Sequence, residues 1–399
     1  MNYKLLSMIL SILVFFAVGC SKNNDHLGHL NDNQEYSNIE DEVIGTTTPQ
    51  PTAPDVVSEL KLEGDIKNIY YADKDKVFIV ADKLYLYDTD TSEILQEVPQ
   101  EEFLSEDFWV IDNGYVAVRQ TSTSGNSGLM MTDGGFNFSV IFYDHDLNLV
   151  SEFDLNQLLE GDDTLMSTDA ISFSASGTQV AYATYSGLYI YDFEKEIKTT
   201  VIDLESEDAK PRSGIVNIEQ IGFTNEDKRI AFKAQSFDIP AKPDKPSFDT
   251  CGIVNIDGSE LLNRTFDNFA CRNLTAYNHL LLFAEDPTVV TGKALVMEMP
   301  SKQTKTHNLI EKAESGFISG SNTGRYFATP ISHKTGWTVR VYNTETGKLE
   351  AEQQISNDDN DLFMSHEPII KVIDETRTCI VLLGSKRDDI ETKIIISQF

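Results

Sequence analysis

Between Ile171 and Asp192 the chain alternates short apolar stretches with polar turns, and this cadence recurs along most of its length. Ile171 to Phe173 is followed by a polar turn, Ser174 to Thr178, in which Gly177 is free to take a positive φ. Val180 to Thr184 then alternates apolar and small residues, Ser186 and Gly187 turn the chain again, and Leu188 to Tyr191 reads as a further strand. The unit is an antiparallel meander. Its second strand recurs at Val77 to Val80, Tyr115 to Val118, Val180 to Ala183, Ile230 to Lys233, Leu280 to Phe283, Tyr326 to Thr329 and Cys379 to Leu382. A third strand follows each time, as at Leu84 to Asp88, Val140 to Asp144, Gly252 to Asp257, Val339 to Asn343 and Ile394 to Ser397. The starts lie between 38 residues (77 to 115) and 65 residues (115 to 180) apart, a period that fits four short strands arranged radially as blades. No long stretch shows helical periodicity, and Asn156 to Glu160 reads as one short turn. The last unit ends at its third strand. Val57 to Leu62 has the alternation of an edge strand and is expected to supply the missing fourth, closing the ring.

Two of these units carry a resemblance. Phe173 to Tyr182 and Phe223 to Phe232 are similar to the repeat of TolB-like and WD-repeat-like β-propellers, with Ala175-Ser176 and Asn225-Glu226 where that family's turn has Pro-Asp. The resemblance implies a β-propeller and leaves the ligand open, because such repeats serve many functions. The expected class is therefore all-β, a seven-bladed β-propeller of four-stranded antiparallel blades over residues 56–399, with six or eight blades as alternatives.

The N-terminal part departs from the cadence. Lys4 precedes an apolar run from Leu5 to Val18, too short for a membrane-spanning helix and suited to a signal peptide over residues 1–19. Ala17 to Cys20 resembles the bacterial lipoprotein box, which implies lipidation of Cys20 and attachment to the outer side of a membrane. An ordinary secreted protein or an uncleaved anchor are the alternatives. Residues 20–55, with Pro49, Pro51 and Pro54 and almost no apolar pattern, read as a disordered tether. His26 and His29 lie within it and read as solvated spacer.

Charge then narrows the partners. The chain carries a formal −32, and removal of the leader with Lys4 leaves 31 − 64 = −33. Such a surface repels polyanions, so nucleic acid is excluded as a ligand, and a bare anionic lipid surface is disfavoured too. Cationic peptides or basic protein faces remain compatible. Besides Cys20 the cysteines are Cys251, Cys271 and Cys379. All three are expected as free thiols, with a bond between Cys251 and Cys271 as the alternative outside the cytoplasm.

The chain holds no Gly-x-Ser-x-Gly, no His-Glu-x-x-His, no Cys-x-x-Cys and no phosphate-binding glycine loop. Met131 to Phe138 resembles the sialidase Asp-box with three signature positions replaced, and reads as a loop. The Asp-rich turns at Asp88, Asp144 and Asn357 lack calcium-loop spacing and read as hairpin turns. No catalytic residue, metal or cofactor is implied.

Two connections between second and third strands are expanded, Gln120 to Asn137 and Gln235 to Thr250. In a propeller they share a face with the connections between blades, and loops on a rigid scaffold are where recognition is placed. The candidate partner-binding residues on that face are Arg119, Arg212, Phe237, Phe248, His333 and Trp337. The expected function is that of a non-catalytic surface lipoprotein whose propeller binds a protein or peptide. An extracellular hydrolase or lyase acting on a glycan or peptide is the main rival, and a structural component of an envelope complex is the third reading.

Overall fold

The computed structural model describes residues 55–60, 62, 66–81, 83–99, 107–122, 136–161, 163–165, 167–205, 215–236, 248–264, 269–288, 290–334, 336–356, 368–383 and 393–399. All fall within one compact unit, Gln50–Phe399. The strands form seven separate four-stranded antiparallel sheets. Second strands run Lys76–Val80, Gly114–Ser122, Gln179–Ala183, Arg229–Ser236, Leu280–Glu285, Tyr326–His333 and Thr378–Leu383, each containing the run read from sequence. We number the blades 1 to 7 in that order. First strands of neighbouring blades pack on one another and so surround the axis of a ring.

Strand alternation explains why almost every residue of a second strand is apolar. In blade 2, Tyr115 and Ala117 pack into blade 1, whereas Val116 and Val118 pack into blade 3 with Phe173, Val180 and Tyr182. Both faces of each sheet are buried, and each large apolar side chain removed from water contributes roughly 1.5 to 3 kcal/mol. Gly177 takes φ +71° in its turn, as the Ser174 to Thr178 pattern requires. At the other hairpins a side chain does the shaping. Asp88 Oδ1 accepts the N–H groups of Asp90 and Thr91, and Asp192 Oδ1 accepts those of Glu194 and Lys195. Asp144, Asp257 and Asn343 repeat the device.

The ring closes through blade 7. Asp55–Leu60 pairs antiparallel with Lys393–Gln398, matching Val56 with Ser397 and Leu60 with Ile394. The closing strand starts before Val57 and ends at Leu60, and a register shift between Val56 and Ser58 leaves Val57 outside the ladder. The expected short turn is a 3₁₀ helix, Leu155–Leu158, capped by the Asp154 carboxylate on the Asn156 N–H. A 3₁₀ helix at Lys312–Gly316 has no counterpart in the sequence reading.

One expectation fails outright. Cys251 and Cys271 are joined, with Cα atoms 6.4 Å apart, inside the separation a disulfide spans without backbone movement. The bond crosses from the third strand of blade 4 (Phe248–Asn255) to the first strand of blade 5 (Cys271–Ala276). Cys379 stays a free, buried thiol.

Candidate functional site

Within every blade the chain runs up, down, up and down. The second-to-third connections and the blade-to-blade connections therefore share one face, here called the loop face. On it, blade 6 ends in a hairpin where His333 pairs with Gly336. The third strand, Gly336–Asn343, then pairs with Leu349–Ser356, setting Gly336 opposite Ser356, Trp337 opposite Ile355 and Thr338 opposite Gln354. Alternation sends Trp337 and Ile355 toward blade 7, where Trp337 packs half-buried on the core. His333, Thr338, Gln354 and Ser356 belong to the opposite side of the sheet. Gly336 has no side chain, and a cleft of about 410 Å³ opens there, lined by these residues, by Lys334 and, from the blade 7 side, by Trp337 and Ile355. The His333 ring nitrogen Nε2 lies 2.8 Å from Thr338 Oγ1.

Further down the same side of the sheet the cleft's lining gives way to charge. Arg340 lies two residues beyond Thr338 and opposite Glu352. Its Nε donates to Glu352 at 2.7 Å, Nη1 donates to Glu314 at 2.5 Å, and Glu311 lies 3.3 Å away. Glu314 is fully buried, and it also accepts hydroxyls from Thr329 at 3.0 Å and from Tyr342. The 3₁₀ helix at Lys312–Gly316 delivers Glu314, held by a reciprocal cap with Glu311. Burial, opposed by these carboxylates, leaves the Arg340 pKa above its ordinary value; burial and the Glu314 hydrogen bond push the Tyr342 hydroxyl well above its own. Three carboxylates thus share one guanidinium.

The axis of the ring holds a second polar group. The Lys371 ammonium, on the first strand of blade 7 (Ile369–Ile373), lies 5.1 Å from the centre of the Tyr71 ring. Burial pulls its pKa down, with Asp107 pulling weakly the other way. The Tyr71 hydroxyl donates to the Gly320 carbonyl at 2.7 Å and accepts the Val372 N–H at 3.2 Å, tying blades 1, 6 and 7 together. Among the described residues no group of three or more His, Cys, Asp or Glu is arranged to hold a metal ion.

No protein-family model matches the chain, and no curated protein does. Among solved structures it is similar to the β-propeller domain of Cps50 (Swd1) from Myceliophteria thermophila, with TM-score 0.52 over 87% of this chain and 100% of that one. Identity is 10%, so the likeness speaks for the fold alone. The fold is a WD40-like seven-bladed β-propeller.

On this propeller the residues read from sequence are distributed unequally. His333 and Trp337 border the cleft of blade 6. Arg119 stands near the loop-face end of the second strand of blade 2, half-buried, with its Nε buried and lacking a partner among the described residues. Phe248 is a correction, since it begins the third strand of blade 4 and pairs with Ser236 instead of sitting in a loop. The strands of blade 4 continue past their apolar core because ladder hydrogen bonds do not require apolar side chains, and the Ser236 and Thr250 hydroxyls meet at 2.8 Å. For the same reason the strands of blade 2 reach Ser122 and Phe136, so both expanded connections are shorter than read. Arg212, Phe237 and Cys20 lie outside the described residues. The structure therefore joins two of the candidates in one cleft and leaves Arg119 and Phe248 on other blades. The glutamates behind the cleft were not singled out, although Glu311 and Glu314 have the spacing of a helix cap.

Proposed function

We propose that the chain is a lipid-anchored, extracytoplasmic binding protein that docks a protein or peptide on its loop face without catalysing a reaction. The observation that carries the reading is the cleft of blade 6, where an exposed imidazole, a half-buried indole and the polar side chains of Thr338, Gln354 and Ser356 surround an opening on the face that gathers the connections. An aromatic at the edge of a polar cleft is the type of residue that anchors protein interfaces. The disulfide between Cys251 and Cys271 supports a location outside the cytoplasm, where such bonds persist. Support for the anchor comes from the lipoprotein-box likeness of Ala17 to Cys20.

Two experiments test this. Cys20→Ser should shift the protein out of the membrane fraction or leave it uncleaved, and unchanged fractionation with normal leader removal would refute the anchor. For docking, Trp337→Ala and replacement of residues 237–247 by a short Gly-Ser turn should each reduce recovery of a cross-linked partner from host membranes. Recovery unchanged in both, with melting unchanged, would remove the loop face from consideration.

A further inference from the structure

We infer that the outer rim of blades 1 and 2 docks an amphipathic helix of a partner protein, with leucine-type residues along one stripe and lysine or arginine beside it. The surface lies away from the loop face, so the inference goes beyond the docking reading and does not rest on it. Four side chains carry it. Ile94 and Leu95 lie at the start of the outer strand of blade 1 (Glu93–Pro99), and Leu149 and Val150 at the start of that of blade 2 (Leu149–Asp154). Leu95 is 49% exposed, and Leu149 and Val150, at 64% each, are the most exposed large apolar side chains among the described residues. Gln96 Nε2 donates to the Asp146 carbonyl at 3.2 Å, which holds the two pairs side by side at the end of the strands opposite the loops.

The fold itself does not require apolar residues there. In both blades the outer strand carries a bulge at the same place: Tyr87 pairs with Ile94 and Leu86 with Gln96, while Tyr143 pairs with Leu149 and Phe142 with Ser151, so the ladder skips Leu95 and Val150. Blade 6 repeats the bulge, with Tyr342 opposite Leu349 and Val341 opposite Ala351, and there the skipped residue is Glu350. The same backbone therefore accepts a carboxylate at this position. A bulge also turns an edge away from further pairing, so a partner gains little by adding a strand and is held through side chains instead. A helix suits such contact, because its own backbone is satisfied and its apolar residues lie in one stripe. Charge sets the flanks of that helix. No lysine or arginine occurs in Asp88 to Pro99 or in Asp144 to Asp154, and of the carboxylates in these segments only Glu97 has an ion pair among the described residues, to Lys83 at 2.7 Å. Glu93 and Glu152, both exposed, border the apolar pairs and attract basic flanks, while the apolar side chains fix the position that charge alone would leave open. The turns before the two strands present Asp90 and Asp146, which a bilayer would meet before it reached the apolar pairs.

The test uses the full chain with Cys20→Ser and a fluorescent helical peptide of about five turns whose leucine stripe runs between lysines, set against one with the same stripe between glutamates, by anisotropy at about 150 mM salt. The lysine peptide is expected to bind roughly tenfold more tightly or better. Leu95→Glu with Val150→Glu gives both bulges the residue type that blade 6 carries there, so melting should be unchanged. The same variant should weaken the lysine peptide by about tenfold, the scale of losing one covered side chain of this size. General acidity predicts the reverse, because the variant is the more negative protein. Unchanged or tighter binding in that variant therefore overturns the inference, and so does equal binding of the two peptides. If the glutamates lower the melting temperature, Leu95→Ser with Val150→Ser gives the same reading without added charge. Phosphatidylcholine vesicles form the last arm. Capture of the parent but not the variant by vesicles, with neither peptide bound, would assign the patch to a lipid surface and overturn the helix. Partner recovery through Trp337 is independent of every one of these outcomes.

Discussion

The disulfide allows a prediction whose size follows from the fold. Cys251 and Cys271 are separated by 20 positions, and both side chains are buried at the seam between blades 4 and 5. Opening a bond that closes a loop of that length restores chain entropy to the unfolded state worth about 3 kcal/mol. An unfolding entropy of about 2.1 cal/mol/K per residue over roughly 340 residues gives about 0.7 kcal/mol/K, so the melting temperature should fall by about 4 to 5 °C. The perturbation is the double variant Cys251→Ala with Cys271→Ala, and the assay is scanning calorimetry with and without reductant. Reductant should lower the melting temperature of the parent to near that of the variant and leave the variant where it was.

A thiol count provides an independent check. In the Cys20→Ser background, denatured without reductant, only Cys379 should be alkylated. In the native state even that thiol should react slowly, because burial pushes its pKa up to about 12 and the thiolate is the reactive form. Three alkylated cysteines, or melting that ignores both reductant and the double variant, would refute the argument.

Other consequences are as direct. Arg340→Met removes the cation paired with fully buried Glu314 among the described residues and should cost about 3 to 5 kcal/mol in denaturant titrations, with Glu314→Gln added to it recovering part of the loss. A loss below about 1 kcal/mol would contradict the buried pairing of Glu314 with Arg340. Deleting residues 55–60 should lower the melting temperature sharply by leaving Lys393–Gln398 as an open edge, while deleting residues 21–48 should change it little; equal effects would contradict closure through blade 7. Acid should unfold the propeller late. The Lys195 ammonium and N–H hold the Asp192 carboxyl at about 2; Asp144 and Asp257 are lowered by their own turn hydrogen bonds, and at Asp88 burial raises the carboxyl but the turn hydrogen bonds together outweigh it. Folded pKa values below the unfolded ones mean stability present above the ordinary carboxylate range and lost as pH falls through it toward about 2. Asp192→Asn should flatten that part of an acid titration followed by circular dichroism, and an unchanged profile would assign acid sensitivity elsewhere.

The blades were legible because the strand period and the burial period coincide. Val116 to Val118 and Val180 to Ala183 face two neighbouring blades at once, so their apolar character is continuous and the strands stand out. Strand ends were not legible, since Arg119, Gln120 and Phe248 belong to ladders that extend beyond the apolar run. The disulfide was equally hidden, because whether the starts of two strands on one face come within 6.4 Å depends on the angle between blades, which no local pattern encodes. The cleft was half legible. His333 and Trp337 flank a turn and attract notice, but Gln354, Ile355 and Ser356 come from the fourth strand, and only the register brings them to the hairpin.

The register of the closing strand bears on how such a cleft can be used. The third strand of blade 7 leaves the loop face at Lys393 and reaches the opposite face at Gln398; Asp55 pairs with Gln398, so the chain enters the ring on the face opposite the loops. The blade 6 hairpin, with His333 and Gly336, lies at the other end of the strands. A propeller whose entry strand ran the other way would bring its preceding segment up beside that hairpin, one blade from the cleft. Here the antiparallel pairing that completes blade 7 also keeps the point of entry a full strand length away, about 20 Å for six residues. Closure and access are consequences of one register, and the residues that set it, Asp55 to Leu60 against Ile394 to Gln398, are the ones to alter in separating them.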